Sequence, residues 1–134
     1  VPYEFGMATN NAWRNNTGGA DYEWDNLNLG LNAYDHGTSG VVSVKVRVFA
    51  FCDGATNLWV GVRNNTDSTY PIGHTQTAGL NNSTPQWWES GWTTVTNTTG
   101  IKELRVTSYT DESGKWYFIK KAVLLVKYQK KFND

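Results

Sequence analysis

Alternation between apolar and polar residues is the main pattern along this chain. In residues 41–51, every second position is valine or alanine, with Ser, Lys and Arg among the residues between them. A period of two places successive side chains on opposite faces of a strand, so this stretch predicts a strand with one face in a core. Residues 58–63 repeat the pattern, and the Asp53-Gly54 pair between the two stretches predicts a hairpin that joins them.

The rest of the chain contains further strand patterns and no helical stripe. Residues 64–90 are polar and are interrupted by two prolines and two glycines, so they are predicted to be mainly loop, with room for one or two short strands. A hairpin loop is predicted at residues 111–114. The remaining predicted strands are residues 3–7, 22–31, 92–96, 104–109 and 116–128. Many short strands joined by polar turns predict an all-β fold, a two-sheet antiparallel β-sandwich of the jelly-roll type.

Size and composition favour a single domain that works outside the cell. The 134 residues fit one domain, and since the sequence begins with Val1 we expect it to be excised from a larger protein. Twelve basic residues balance twelve acidic ones, which leaves no long-range field to attract nucleic acid. The longest apolar run, residues 122–126, is too short to span a membrane. Abundant Thr, Asn and Gly with few charged residues are typical of secreted, cell-surface or virion proteins.

Three segments of the chain resemble a known family. They read, in order, GVVSVKVRVFAF, LWVGVRNN and GWTTVTNTTGIKELRVTSYTDESGKWYFIKKAVLLVKY. Their succession is similar to that of the strands in galactose-binding-like jelly rolls, which include many carbohydrate-binding modules of secreted polysaccharide-degrading enzymes. The resemblance covers roughly the C-terminal two-thirds of the chain. It implies a module that binds a polysaccharide or glycan and accompanies a catalytic domain in the same parent chain.

The resemblance also bears on metal binding. Modules of this family commonly carry carboxylates in the closing strand, often tied to a structural calcium, where this chain has Ile-Lys-Lys at residues 119–121. Two ammonium groups would repel the ion, so we expect no metal and no cofactor there. Asp21, Glu23 and Asp25 alternate along a predicted strand and offer three oxygen donors for a cation. A solvated strand face is the favoured interpretation of that cluster.

The chain lacks the patterns that catalysis requires. Residues 35–40 read DHGTSG and place a His beside Asp and Ser, but they miss the second glycine of a G-x-S-x-G elbow and are interpreted as a turn. Two histidines and one cysteine do not form a zinc pattern. A glycosidase needs two opposed carboxylates in a deep cleft. We therefore expect no enzyme and no catalytic residue.

Lysines accumulate toward the C-terminus, where two interpretations compete. The lysines could form a patch that binds nucleic acid or phosphate. The favoured interpretation is that their charges protect a strand edge and solubilise a tail. The lysines concerned are Lys120, Lys121, Lys127, Lys130 and Lys131.

Aromatic residues outside the valine-rich faces form the candidate binding site. Trp59 and Arg63 share the outward face of their predicted strand, and Tyr109 lies beside an arginine in the same way. A flat ring beside a guanidinium suits a pyranose, whose C–H face stacks on the ring while its hydroxyls form hydrogen bonds. The alternative, left open at this point, is a structural Trp59 covered by a loop.

The segment NSTPQWWESGW, residues 82–92, holds three of the seven tryptophans. Trp87 and Trp88 are adjacent, so in an extended segment their rings point to opposite sides. One ring is expected to anchor the segment and the other to face outward as a binding platform. We expect Trp88 to be the outward ring, because Glu89 and a serine follow it, and Gln86 to supply hydrogen bonds.

The resulting hypothesis is non-catalytic binding of a polysaccharide or glycan by a secreted, monomeric module. The alternative is a structural or receptor-binding domain of a phage tail or virion, in which the aromatic surface is an oligomer interface. The candidate ligand-binding residues are Trp59, Arg63, Gln86, Trp87, Trp88 and Tyr109.

Overall fold

Ten β-strands make up the regular structure of the computed structural model. It describes the backbone of residues 2–10, 14–15, 22–30, 41–95, 100–111 and 115–129, with side chains at 43–95, 100–111 and 115–127. None of these residues forms a helix, and so none forms an apolar helix that could cross a membrane. The strands are β1 (Pro2–Asn10), β2 (Arg14–Asn15), β3 (Tyr22–Gly30), β4 (Val41–Cys52), β5 (Leu58–Asn64), β6 (Thr69–Gln76), β7 (Gln86–Glu89), β8 (Thr93–Thr94), β9 (Ile101–Thr110) and β10 (Tyr117–Gln129).

The strands form two antiparallel sheets. The first sheet has the order β1-β10-β4-β7, with β2 beside β10 and β8 beside β4, and the second has the order β3-β9-β5-β6. The second sheet consists of four strands of seven to ten residues, and the first combines the long strands β1, β4 and β10 with the shorter β2, β7 and β8. Most strands that follow each other in the sequence lie in different sheets. This arrangement is a jelly roll. The predicted all-β, two-sheet antiparallel sandwich is therefore confirmed.

The predicted hairpin between the first two strong strands is wrong. β4 pairs with β10 and β7 in the first sheet, whereas β5 pairs with β9 and β6 in the second. The Asp53-Gly54 turn therefore carries the chain from one sheet to the other. Alternation determines which face of a strand is apolar but not which strand lies beside it, and the apolar faces of β4 and β5 meet across the core. The predicted hairpin at 111–114 fails for the same reason, because β9 and β10 lie in different sheets.

Two edge strands lie in the stretch that was predicted to be mainly loop. β6 includes Pro71 and Gly73, and β7 is only four residues long. Proline is tolerated in an edge strand because one side of that strand makes no ladder hydrogen bonds. β6 pairs only with β5, and β7 only with β4, within the described residues.

The core lies between the two sheets and is filled mainly by β-branched and leucine side chains. Val44, Val46 and Val48 of β4 are fully buried against residues of the second sheet. Tyr117 is also fully buried, and its hydroxyl lies 2.7 Å from the hydroxyl of Ser108. A buried phenol needs such a partner. Burial raises the pKa of the Cys52 thiol to about 11, which suits its expected role as a small apolar residue.

Candidate functional site

Trp87 and Trp88 are oriented by the pairing of β7 with β4. Val48 stands opposite Trp88, and Phe49 stands opposite Trp87. Directly opposite residues of an antiparallel pair point to the same side of the sheet. Trp88 therefore faces inward and packs against the core, whereas Trp87 faces outward and is 46% exposed. The expectation that Trp88 is the outward ring is wrong, because the register with β4 decides the orientation.

Neighbours on β4 hold the indole of Trp87 in place. The ring centroid of Phe49 lies 5.2 Å from that of Trp87, and the guanidinium of Arg47 lies over the indole at 4.8 Å from the centroid. Glu89 accepts ion pairs from Arg47 at 3.4 Å and from Lys45 at 3.5 Å. Stacked cations and tilted aromatic pairs are attractive arrangements, so the exposed ring is fixed from two sides.

A β-bulge in β10 brings two successive lysines to the same outer face. Ile119 pairs with Ala50, and Lys121 pairs with Phe49, so Lys120 is the extra residue between them. Ile119 and Ala50 are buried, Lys120 is exposed, and Lys121 lies opposite the outward-pointing Phe49. Bulges re-aim side chains in this way. β10 pairs with strands on both sides, so Lys120 and Lys121 do not protect a strand edge, and that part of the favoured interpretation is wrong. Lys130 and Lys131 lie outside the described residues.

The two lysines and the two aromatic residues enclose an open cleft of about 360 Å³. We call it the lysine cleft, and it is lined by Phe49, Trp87, Lys120 and Lys121. Lys121, Phe49 and Trp87 follow one another across three strands in register. Phe49 is therefore the floor, Trp87 an aromatic wall, and the lysines a cationic wall.

A second group of aromatic rings lies on the same face, beyond the lysine cleft. Phe51 and Phe118 are cross-strand partners. Their ring centroids are 5.5 Å apart, and their ring planes are inclined by 22°. Trp116 lies 5.5 Å from each of them. We call these three residues the aromatic cluster, and each keeps part of its surface exposed. The outer face of an antiparallel sheet is usually polar when water covers it.

The outer face of the second sheet carries a different aromatic group. The rings of Trp59 and Tyr109 are cross-strand partners, parallel to within 4° with centroids 6.0 Å apart. His74 meets the other side of Tyr109 edge-on at 4.8 Å, and Tyr70 follows at 5.5 Å from His74. We call these four rings the aromatic ladder. Because each inner ring is covered by its neighbours, little ring face is left for a ligand.

Gly61 allows the aromatic ladder to form. It lies between Trp59 and Arg63 on the outward side of β5, and a Cβ added there would meet the carbonyl oxygen of Ile72 at 2.8 Å. The backbone of β6 bulges over this glycine, so that His74 reaches across β5. Its imidazole Nε2 lies 2.8 Å from the hydroxyl of Thr107 on β9. The absence of a side chain at position 61 therefore makes room for a ring on the neighbouring strand.

Polar side chains at one end of the ladder engage the ring of Trp59. The indole N–H donates to Asp111, and Asn57 Nδ2 donates to the same carboxylate at 2.9 Å. The hydrogen bond from Asn57, and to a lesser extent the one from Trp59, holds the pKa of Asp111 below its usual value. Trp59 is only partly exposed. The indole N–H of Trp59 therefore already has a hydrogen-bond partner within the protein.

Arg63 is also engaged by protein groups. Its guanidinium donates to Asn65, whose amide donates in turn to Glu103 at 3.1 Å. The guanidinium of Arg105 pairs with Glu103 at 2.8 Å. Both guanidinium groups on this face therefore already have protein partners.

A second cleft, of about 400 Å³, opens where β6 approaches β8 at the edge of the sandwich. Asp67 lies on its wall and pairs with Lys102 Nζ at 3.0 Å. The hydrogen bond from Lys102 is the main cause that lowers the pKa of Asp67. The lining residues are Asn64, Asp67, Thr69, Tyr70, Pro71, Thr93, Thr94 and Val95.

The sequence-predicted site residues fall on two opposite faces and do not form one site. Trp59, Arg63 and Tyr109 lie on the outer face of the second sheet, and Trp87 lies on the outer face of the first. Gln86 pairs with the inward-facing Ala50, so it emerges on the opposite side of β7 from Trp87. Trp88 is partly buried and packs against the core. Only Trp87 combines substantial exposure with a cleft.

Sequence reasoning weighed Lys120 and Lys121 only as part of a C-terminal lysine patch, and it did not place them in one cleft with Phe49 and Trp87. The Lys-Lys pair was visible, but a strict alternation would place the two lysines on opposite faces. Only the bulge, which appears in the pairing with β4, brings them together. Alternation alone places Phe49 on the outward face of its strand, but it does not show which residues of the neighbouring strands lie beside it.

The predicted metal and catalytic sites can be compared with the structure only where it describes their residues. In that part of the chain, no three His, Cys, Asp or Glu side chains come together as a metal site. Glu23 and Asp25 lie in β3, but their side chains and the whole of Asp21 are outside the described residues, as are residues 35–40. Those interpretations stay predictions.

The fold is similar to that of chains from virus particles. The chain aligns over 99% of its length with 32% of a chain in a structure of the infectious bursal disease virus Gx strain, with a TM-score of 0.50 and 15% identity. With a structure of the Gt strain of this virus, the chain aligns over 99% of its length and 38% of the other chain, with a TM-score of 0.50 and 16% identity. With T=1 particles derived from infectious bursal virus, it aligns over 99% of its length and 36% of the other chain, with a TM-score of 0.50 and 14% identity.

The chain thus spans about a third of the length of those virus-particle chains. No family model and no curated protein sequence matches it. At this level of identity the likeness establishes the shared β-sandwich fold. The β-sandwich implied by the resemblance to galactose-binding-like modules is confirmed, while none of these three structures is a carbohydrate-binding module.

Proposed function

We propose that the chain is a structural domain of a virus particle that associates with other subunits through the outer face of its first sheet. The observation that carries the proposal is the aromatic cluster. Phe51 and Phe118 lie on the two central strands of that sheet, where side chains facing water are usually polar. Partly exposed aromatic residues in such a patch are typical of protein interfaces.

The shared fold supports a virion setting. Jelly rolls occur in viral capsid proteins and in lectins alike, so the fold alone leaves both classes open. The virus-particle chains match this chain over nearly its whole length. This proposal favours the virion alternative over a secreted module and replaces the expected monomer by an oligomer. It places the protein outside the cell for at least part of the viral cycle.

The oligomeric state tests the proposal directly. Sedimentation velocity of the chain over a wide concentration range is expected to give a species larger than a monomer. The double variant Phe51→Thr, Phe118→Thr keeps strand-forming residues and removes the two paired rings. We expect it to weaken association roughly 30-fold, which corresponds to the loss of one interface hot spot of about 2 kcal/mol.

A matched control lies on the other sheet. Tyr70 is 46% exposed on the outer face of the second sheet, so Tyr70→Thr removes a similar ring from a surface not involved in the proposal. Its association should equal that of the parent chain. A strictly monomeric parent, or an equal effect of Tyr70→Thr and the double variant, would contradict the proposal.

We also propose that the domain is non-catalytic. The supporting observations are the elevated pKa of the Cys52 thiol, which leaves it protonated, and the local pairing of Asp67 and Asp111 with structural partners. Prolonged incubation with polysaccharides, followed by a reducing-end assay, tests this. Release of sugar ends that a single Asp or Glu substitution abolishes would contradict it.

A further inference from the structure

We propose that the side chains of Lys102 and Asn64 form an isopeptide bond within the folded chain, with release of ammonia. The carboxylate of Asp67 accepts hydrogen bonds from both groups and carries the protons that the reaction moves. The three residues lie in the second sheet and in the turn that follows β5. The proposal goes beyond the structural role given above and does not depend on association through the aromatic cluster.

One carboxylate oxygen contacts both the amine and the amide. Oδ2 of Asp67 lies 3.0 Å from Lys102 Nζ and accepts a hydrogen bond from Asn64 Nδ2 at 2.9 Å. Asn64 pairs with Leu104 on the neighbouring strand, and Lys102 is two residues away on the same side of that strand. The fold therefore holds an amine and a carboxamide together, and such positioning greatly accelerates a reaction between two groups.

Burial of the two reacting side chains favours the reaction. The side chain of Lys102 is 5% exposed, and Asn64 is 1% exposed. A charged pair taken out of water costs more free energy than a neutral pair, so the transfer of a proton from the ammonium group to the carboxylate is less unfavourable here than in solvent. The neutral amine that results is the nucleophilic form of lysine.

The backbone of the turn polarises the side-chain carbonyl of Asn64. Its Oδ1 accepts hydrogen bonds from the N–H groups of Thr66 at 3.0 Å and of Asp67 at 3.1 Å. Two backbone donors on one carbonyl oxygen stabilise the negative charge that develops there when the carbon is attacked. An amide is a poor electrophile, and these two hydrogen bonds make it a better one.

The reaction balances without any further reagent. Lys102 Nζ gives one proton to Asp67, and the free amine attacks Cγ of Asn64, so that the Nζ–Cγ bond forms. Asp67 passes its proton to Nδ2 and takes a second proton from the amine. The Cγ–Nδ2 bond then breaks, and the departing ammonia takes the second proton and leaves as ammonium. Asn64 and Asp67 both line the open cleft of about 400 Å³, which provides the exit.

The bond closes a loop that contains three strands. Residues 64–102 run from the end of β5 into β9 and include β6, β7 and β8. A covalent link across a long loop stabilises a fold mainly because it restricts the unfolded chain. The chain has a single cysteine, Cys52, and cannot form a disulfide within itself. The isopeptide bond would supply a cross-link that thiols do not reduce.

Mass spectrometry of the folded chain tests the proposal. After prolonged incubation at physiological temperature, the chain is expected to be lighter by the mass of one ammonia molecule. Cleavage after glutamate locates the loss, because Glu89 is the one glutamate between positions 64 and 102, and fragments 24–89 and 90–103 should stay joined. Trypsin should no longer cut after Lys102. A chain kept unfolded in guanidinium chloride should not react.

Variants separate the roles of the amine and the carboxylate. Lys102→Arg keeps a cation beside Asp67 but removes the nucleophile, so it should keep its full mass and melt at a lower temperature than the linked parent. Asp67→Asn should slow the reaction at least about a hundredfold in a chain whose circular dichroism shows that it is folded. Asp111→Asn is the matched control, because that carboxylate also accepts a hydrogen bond from an asparagine, Asn57, at 2.9 Å. It should react at the rate of the parent.

Three results would overturn the proposal. An unchanged mass and separate fragments in the folded, incubated parent would leave Lys102 and Asp67 as an ion pair only. A loss of ammonia that persists in Lys102→Arg would mean that an asparagine reacts with the backbone instead. Equal rates in Asp67→Asn and Asp111→Asn would remove Asp67 from the reaction. None of these results bears on association through the aromatic cluster, so the two proposals fail independently.

Discussion

The outer faces of the two sheets both carry aromatic rings next to arginine, but the rings meet different neighbours. On the second sheet, Trp59 stacks on Tyr109 and its N–H donates to Asp111. On the first sheet, Trp87 rests beside Phe49 under the guanidinium of Arg47 and remains 46% exposed. The same residue types therefore produce a closed surface on one side and an open one on the other.

The difference lies in what each face does with its polar and charged groups. The second face pairs Arg63 and Arg105 with Asn65 and Glu103, so its guanidinium groups already form hydrogen bonds with protein groups. The first face has more cations than carboxylates among its described outward side chains. The type of residue at an outward position does not decide whether a face can bind a ligand. The decisive property is whether neighbouring strands already occupy its ring faces and hydrogen-bonding groups.

The largest expected effect separates the two adjacent tryptophans of β7. Trp88→Ala should lower the free energy of unfolding by about 3 kcal/mol, because it removes a large side chain that packs on the core. Trp87→Ala should lower it by less than about 1 kcal/mol, because that ring is on the surface. Urea denaturation followed by circular dichroism measures both. Equal losses in the two variants would refute the assigned register of β7.

The second effect concerns the backbone beneath the aromatic ladder. In Gly61→Ala the new methyl group would lie 2.8 Å from a backbone carbonyl oxygen, which cannot move without displacing β6. We expect a loss of about 2 kcal/mol in the free energy of unfolding. Gly73→Ala is the control, because nothing lies within 4 Å of a Cβ there, and it should be close to neutral. A neutral Gly61→Ala would mean that β6 does not bulge over β5.

The third effect tests whether the ladder is structural. Trp59→Leu removes the stacking on Tyr109 and the hydrogen bond to Asp111 while it keeps an apolar side chain. The expected loss is about 1.5 kcal/mol, from stacking and from a partly exposed hydrogen bond. An unchanged free energy of unfolding in Trp59→Leu would contradict a structural role for the ladder.

The smallest effect is a pH dependence. Asp67 and Asp111 have pKa values below the ordinary one in the folded state, so the unfolded chain binds protons more readily. Their contribution to stability is present at neutral pH and is lost as the pH falls below about 4, through the folded-state values. Thermal melts of the parent and of Asp67→Asn with Asp111→Asn should differ at neutral pH and converge in acid. An undiminished difference at low pH would contradict the pairing of these carboxylates.

The sequence was sufficient for the fold class because alternation is a local property. Val44, Val46 and Val48 are recognisable as one face of a strand from their spacing, and the structure buries all three. Strand pairing is not local: nearly half of the chain, residues 53–116, lies between β4 and β10, and no short pattern records that they are neighbours. The predicted hairpin between β4 and β5 failed on this point.

The candidate site was predicted only in part, for a related reason. That one ring of the Trp87-Trp88 pair faces outward follows from the two-residue period of a strand. Which ring faces outward depends on the register with β4, and the position of both lysines depends on a one-residue bulge. A register shift of a single residue reverses every orientation along a strand. These features require knowledge of the partner strand.

The position of β10 in the first sheet also governs when the domain can fold. β10 is the last strand in the sequence, yet it lies between β4 on one side and β1 and β2 on the other, and within the described residues β1 and β2 pair with no other strand. On the ribosome, the first sheet therefore cannot close until residues 117–129 have emerged. Contacts between residues so distant in sequence make folding slow, in the range of milliseconds to seconds. During that interval the edges of β1 and β4 are open to other chains, so the folding of this domain should depend strongly on the concentration of nascent copies.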